Sequence, residues 1–180
     1  MHCRISRAST LAFILPSLAI AAVALVTGAM AQPTKTLKEQ LLGAWTLVAV
    51  AGERSDGSKF EPFGANPKGI IIFTDDGHFS LFQSKAEIPR IASNDRGKAT
   101  PEEAAAVVSA AIAYYGTYAM NEDEKTLSVK LDASTFANLV GGPEQKRIIT
   151  LLTGGELHFT NPRTPSGTTL QTVWKRAKAQ

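Results

Sequence analysis

Leu127, Val129 and Leu131 alternate with Ser128, Lys130 and Asp132. Successive side chains of a strand point to opposite faces, so this period of two describes a strand with one dry and one wet side. Trp45, Leu47 and Ala49 alternate with Thr46 and Val48 in the same way, and Leu157 and Phe159 with Glu156, His158 and Thr160. The rhythm predicts strands over 44–51, 68–74, 78–83, 115–121, 125–132, 146–152, 156–160 and 169–176, with a shorter one at 58–61. Most connections are of hairpin length, with "NEDEK" and "TGG" as clear turns. Consecutive strands joined this way predict an all-β fold, an eight- to nine-stranded antiparallel meander that closes into a barrel.

One segment departs from this rhythm. In "TPEEAAAVVSAAIAYYG", Thr100 is placed as an N-cap, Pro101 at the first helical position and Glu103 to complete a capping box. Ala104, Val107, Val108, Ala111, Ile112 and Tyr115 recur at helical spacing. They predict one helix over Thr100–Ala113, packed outside the barrel or across one mouth. Its polar side carries no basic residue, which argues against a membrane-surface helix. The preceding loop, Ser84 to Ala99, is long for a connection and is a candidate lid or binding loop.

The first residues stand apart from the fold. Arg4 and Arg7 precede an apolar run from Leu11 to Val26, and Ala29-Met30-Ala31 follows. A positive start, a short apolar stretch and a small-x-small site describe a secretory signal peptide over 1–31, cleaved after Ala31. The run is short for a membrane span and carries Pro16, so no membrane insertion is expected once the signal is removed. The destination is periplasmic or secreted. Residues 32–40 read as a polar lead, and 41–177 as the domain.

Removing 31 residues from 180 leaves 149, enough for one domain with a real core. Losing Arg4 and Arg7 leaves 17 of the 19 basic residues against 16 acidic ones, a balance that argues against a nucleic-acid partner. The single cysteine, Cys3, goes with the signal. The mature domain therefore has no disulfide, thiolate nucleophile or cysteine metal site to draw on.

"IIIFTDDGHFSLF", Ile70 to Phe82, raises the question of a metal or catalytic cluster at Asp75-Asp76-Gly77-His78. A three-residue hairpin loop accounts for it, with Gly77 supplying positive φ and a bulge. Phe73 then faces Phe79, Ile72 faces Ser80, Ile71 faces Leu81 and Ile70 faces Phe82. One face becomes Ile71, Phe73, Phe79 and Leu81, wholly apolar. The other face also carries large apolar residues, and needs cover from the helix or from a second subunit, a homodimer. Calcium would require alternating carboxylates and a later bidentate glutamate. Zinc would require more ligands than His78 and His158 provide. No metal site and no cofactor is expected, and no Gly-x-Ser-x-Gly nucleophile motif occurs.

"LLGAWTLVAV", "PFGANPKGIIIFTDDGHFS", "AYYGTYAMNEDEKTL", "QKRIITLLTGGELHFT" and the terminal "TVWKRA" together resemble the bacterial lipocalin-like domain family, in order from about Leu41 to Ala177. The resemblance implies a calycin-type barrel with a cavity opening at one end. Gly43 and Trp45 are similar to the Gly-x-Trp signature of lipocalins, whose tryptophan packs across the closed end beneath a basic residue from the last strand. Arg176 matches that residue, and all three are expected to be structural. Where family members often carry a His-His strand and a tryptophan-bearing loop, this chain has "LSVKLDASTFANLVGG", with no histidine and with Phe136 as the aromatic residue.

Three functions follow as expectations. An eight-stranded barrel is either filled by side chains or holds one small ligand. As a carrier of a small, largely apolar molecule, it would line its lumen with Leu47, Ile71, Phe73, Phe79, Leu81, Tyr118, Leu127, Val129, Leu131, Leu157 and Phe159, and the Tyr118 hydroxyl could orient the ligand. As an isomerase, cyclase or hydratase it would need a titratable group in the lumen, such as His78, His158, Asp132 or Tyr118. No catalytic residues are assigned, since nucleophile, base and orienter do not appear together. As a structural or interaction domain, it would have a filled core.

Overall fold

The structure is a computed structural model that describes residues 35–164 and 166–178. The segment read as a signal peptide lies outside them. Helix α1 (Leu37–Leu41) leads into β1 (Gly43–Glu53), the short β2 (Lys59–Phe60), β3 (Lys68–Phe73) and β4 (His78–Ser84). Helix α2 (Pro101–Ala110) is followed by β5 (Ala111–Asn121), β6 (Thr126–Ser134), β7 (Gln145–Leu152), β8 (Glu156–Asn161) and β9 (Thr169–Arg176). Every pairing is antiparallel between sequential neighbours, except that β1 reaches past β2 to β3 and also pairs with β9. That last pairing closes eight strands into a barrel, and β2 adds to the far end of β1 through Gly52↔Phe60 and Glu53↔Lys59.

The β3–β4 hairpin has the predicted register, from Phe73↔Phe79 to Ile70↔Phe82. Gly77 takes φ +87° and its N–H donates to the Thr74 carbonyl, as the three-residue loop requires. Ile71, Phe73, Phe79 and Leu81 face inward and are buried. On the next strand Gly116 sits opposite Phe79, where a Cβ would come within 2.0 Å of the Lys130 carbonyl oxygen. Only glycine allows β5 and β6 to approach this closely beside the bulge between Tyr115 and Gly116.

The structure differs from the sequence reading in four places. Helix α2 has the capping box, with Thr100 Oγ1 accepting from Glu103 N, but it ends at Ala110 rather than Ala113. Ala111, Ile112 and Tyr115 belong to β5, where Ile112 faces Gln83 and Tyr115 faces Ser80. An aromatic and β-branched run with ladders available on both sides favours strand over another helical turn. In β1, a bulge between Leu47 and Ala49 turns Val50 inward and leaves Ala49 exposed. The polar lead is partly helical, since α1 occupies its end with its own capping box at Thr36 and Glu39. Finally, α2 does not cover the outer face of the β3–β4 hairpin. Ile70 is 40% exposed, Ile72 38% and Phe82 37%, because the chain turns from Ala110 directly into β5.

Helix α1 plugs the end of the barrel where β1 begins. Leu37 and Lys38 N–H groups donate to the Glu122 carboxylate in the β5–β6 turn, each at 3.3 Å, which suits an acid at a helix N-terminus. Leu41 is completely buried, and its carbonyl accepts from Trp45 Nε1 at 2.7 Å. The Arg176 guanidinium lies 3.7 Å over the Trp45 ring. It donates to the carbonyls of Leu42, Gln40 (2.5 Å) and Gly154 (3.2 Å).

Arg176→Ala removes a cation–π contact and three charge-assisted hydrogen bonds. It is expected to destabilise the fold by about 2–4 kcal/mol, read as a lower urea midpoint. Arg176→Lys should recover only part of this, because an ammonium cannot span three carbonyls in one plane. An unchanged midpoint in Arg176→Ala would show that the tryptophan is held without the guanidinium.

Candidate functional site

The barrel interior has two halves. Toward the plugged end, side chains fill it. All eleven residues read as lumen lining are buried there or at mid-height: Leu47, Ile71, Phe73, Phe79, Leu81, Tyr118, Leu127, Val129, Leu131, Leu157 and Phe159. The Phe73 ring meets Tyr118 edge-on at 5.1 Å, and Phe159 stacks on Trp174 at 6.2 Å. Between Ile71, Phe73, Phe79, Leu127 and Val129 the free space is only about 10 Å³, no more than one water requires. The Tyr118 hydroxyl is engaged in this half, donating to the Thr74 carbonyl at 2.7 Å. Burial and the charges of Asp75 and Asp76 push its pKa up.

Toward the other end the interior opens into a mouth of about 720 Å³, within the usual range of ligand pockets. Leu81, Tyr114, Arg147, Phe159 and Thr172 form part of its lining, with Gln83, Ile112, Gln145, Asn161 and Leu170 beside them. Phe60 and Phe63, Val108 of α2, and Phe136 and Leu139 also line it, together with Thr164, Ser166 and Thr168. Of the eleven lumen residues only Leu81 and Phe159 reach this space. The Ser84–Ala99 loop contributes none of the lining. It borders a separate depression on the outer wall with Lys68 and Phe82.

The β6–β7 ladder explains why the barrel is open here. It runs only from Thr126↔Ile148 to Val129↔Gln145. β7 begins at Gln145, so beyond Val129 the upper part of β6 has no β7 partner, and the segment holding Phe136 and Leu139 stands at the mouth instead of a continued ladder.

Arg147 lies where the two halves meet and borders the free space of both. It is 5% exposed. Its guanidinium donates to Gln145 Oε1 at 2.9 Å and, at 3.4 Å, to the Lys146 carbonyl. Among the described residues no carboxylate pairs with it, and no aspartate or glutamate lines the mouth. A guanidinium has five N–H donors, so most of its capacity is unspent. Asn161 also lines the mouth, and its Oδ1 is buried with no partner among the described residues. Arg147 was readable in principle, because Gln145, Arg147 and Ile149 share one face of β7 and Ile149 is core.

The titratable candidates fall elsewhere. His78 is exposed in the hairpin, and Asp132 is exposed on the outside of β6. His158 alternates with the buried Leu157 and Phe159 and sits 3.8 Å from Glu156 Oε2. The Asp75–His78 cluster is a turn. Asp76 Oδ1 accepts from the Thr74 hydroxyl and from His78 N at 3.3 Å, and lies 3.1 Å from His78 Nδ1. Those bonds hold the Asp76 carboxyl down at about 2. Among the described residues no three His, Cys, Asp or Glu side chains are grouped to hold a metal ion.

A family model described as a lipocalin-like domain matches residues 42–177. No curated protein matches the chain. Among solved structures, bovine odorant binding protein in complex with a selenium-containing odorant is 14% identical, with 83% of this chain and 78% of that chain covered and a TM-score of 0.40. The same bovine protein with its natural ligand gives 15%, 83%, 79% and 0.39. Its deswapped triple mutant gives 16%, 78%, 76% and 0.37.

Asp76 supplies a pH dependence. Its folded value of about 2 lies below the ordinary 3.8. It therefore stabilises the fold above the ordinary value, and this contribution fades as pH falls from about 4 to 2. Asp76→Asn should flatten that part of a urea-midpoint-against-pH curve by lowering the neutral midpoint toward the acid one, while leaving the value near pH 2 little changed. Identical acid limbs in both proteins would show that the turn's hydrogen bonds do not depend on the charge.

Proposed function

The chain belongs to the lipocalin-like domain family, and from that premise we propose that it is an exported carrier that binds one small, largely apolar molecule in the open half of its barrel. The observation that carries this reading is the contrast between the halves. Below, packing leaves about 10 Å³; above, about 720 Å³ stands open among aromatic and aliphatic side chains with a few amides and hydroxyls. A concave, mostly apolar space with sparse polar groups is what a small-molecule site needs. The ligand site in this reading is Leu81 and Phe159 with Ile112, Tyr114, Leu170 and Phe136, while the deeper lumen residues support it as packed core.

An enzymatic reading has less to work with. Among the described residues the titratable side chains lining the mouth are Tyr114 and Arg147, with none of the aspartate, glutamate or histidine groups that general acid–base chemistry most often uses.

Export is part of the proposal. Recovered from its native host, the protein should have the mass of a chain beginning at Gln32; a full-length mass in the cytoplasm would overturn this part. Native mass spectrometry of the same sample should show one adduct per chain that is lost on denaturation, and it also reads the oligomeric state. Leu170→Trp, which fills the mouth without entering the packed half, should lower binding of an apolar fluorescent probe by roughly tenfold or more and leave the urea midpoint nearly unchanged. Equal probe binding by both proteins would remove the mouth as the site.

A further inference from the structure

We propose that the mouth selects amphiphiles with a monoanionic head, a carboxylate on an apolar body, and that Arg147 is the residue that receives the head. This rests on the carrier reading and names its ligand class.

Arg147 is 5% exposed and has no carboxylate partner among the described residues. Burying a cation in an apolar setting is unfavourable unless it is paired. The contacts it has are neutral: the Gln145 side-chain oxygen and its neighbour's carbonyl. A guanidinium that served only the fold would be expected to have a buried acid against it, as the exposed Lys146 has Glu124 at 2.6 Å on the outer face of the same strand. No counter-charge lies against it among the described residues, and the free space that Arg147 borders on its upper side, through which one would enter, is the mouth.

The lining also sets the kind of anion. Arg147 is the one charged residue among those lining the mouth, so the site balances a single negative charge rather than the near-double charge of a phosphate monoester. The planar fork of a guanidinium matches the two oxygens of a carboxylate. Gln145 turns its oxygen to Arg147, which leaves its amide N–H groups to donate to the same head. The body of the ligand would then lie against Ile112, Leu170, Phe136 and Leu139, which line the mouth.

Calorimetry with dodecanoate and dodecanol, which share an apolar chain and differ in the head, tests this directly. The wild type should prefer dodecanoate by roughly tenfold or more. Arg147→Met, similar in bulk and uncharged, should lose that preference and bind the two with similar affinity. The ligand-free variant should also unfold at an equal or higher temperature than the wild type, because an unpaired buried charge has been removed. A residue with a merely structural role would instead destabilise the protein on replacement. Arg147→Lys provides a second reading and should retain part of the preference. If the wild type binds both molecules equally, the head-group assignment falls and the carrier reading stands. If it binds neither, both fall. A preference for dodecanoate that survives in Arg147→Met would place the charge recognition elsewhere and overturn the assignment.

Discussion

The Arg176 guanidinium over Trp45 fastens the lower end of the seam that closes this barrel. A sheet becomes a barrel only when its first and last strands pair, and here the lower end of that seam is the pair Trp45↔Arg176. The same guanidinium reaches the carbonyls of Gln40 and Leu42, and that of Gly154 in the β7–β8 turn. One side chain thus joins the α1 plug, the first strand, the last strand and a neighbouring turn. The mature domain proposed here would have no cysteine, so packing and polar contacts of this sort take the place of a covalent staple.

Sealing one end makes the barrel asymmetric, and the distribution of side chains follows. Trp45, Phe73, Phe79, Tyr118, Leu127, Leu157 and Trp174 are all buried, and the free space among the deep residues is too small for a ligand. Higher up, the inward positions pass to Gln83, Arg147, Asn161 and Thr172 among aromatic and aliphatic residues. Polar groups placed inward contribute less to stability than the aliphatic residues they displace. A barrel that only had to fold would carry its aliphatic alternation to the top of every strand. The upper half departs from that pattern on several strands at once, as binding sites do when they are held by a scaffold stabilised elsewhere.

The strands were legible in the sequence because a barrel with a dry inside and a wet outside imposes period two on each of them. The hairpin register was legible for the same reason, since a slip of one residue would have sent Phe73 and Phe79 into solvent. Three features were hidden. The end of α2 was obscured because Ala111, Ile112 and Tyr115 fit a helical stripe as well as a strand, and only pairing with β4 and β6 decides between them. Helix α1 was hidden by its short length, although Thr36 and Glu39 carry the spacing of a capping box. Arg147 was hidden by its chemistry. A charged residue in "QKRIIT" reads as surface, and only its phase with Ile149 shows that it points inward. The candidate site was therefore the least legible part, because it consists of the positions where polarity breaks the rule that reveals the fold.

The depth of Arg147 bears on how a ligand would lie. The residue borders the filled core below and the open space above, so it marks the floor of the mouth. A ligand entering tail first would place methylene groups against the guanidinium and strip it of water without offering a partner, while its own head stayed near Thr164, Ser166 and Thr168. Entry head first would pair the one buried charge among the described residues and leave the apolar body beside Val108, Phe136 and Leu139. Val108 is 72% exposed and Phe136 48%, so these side chains have apolar surface free for such a body to cover. The exposed rim and the buried cation then present one problem at opposite ends of the mouth, and the proposed amphiphile in a single orientation would resolve both.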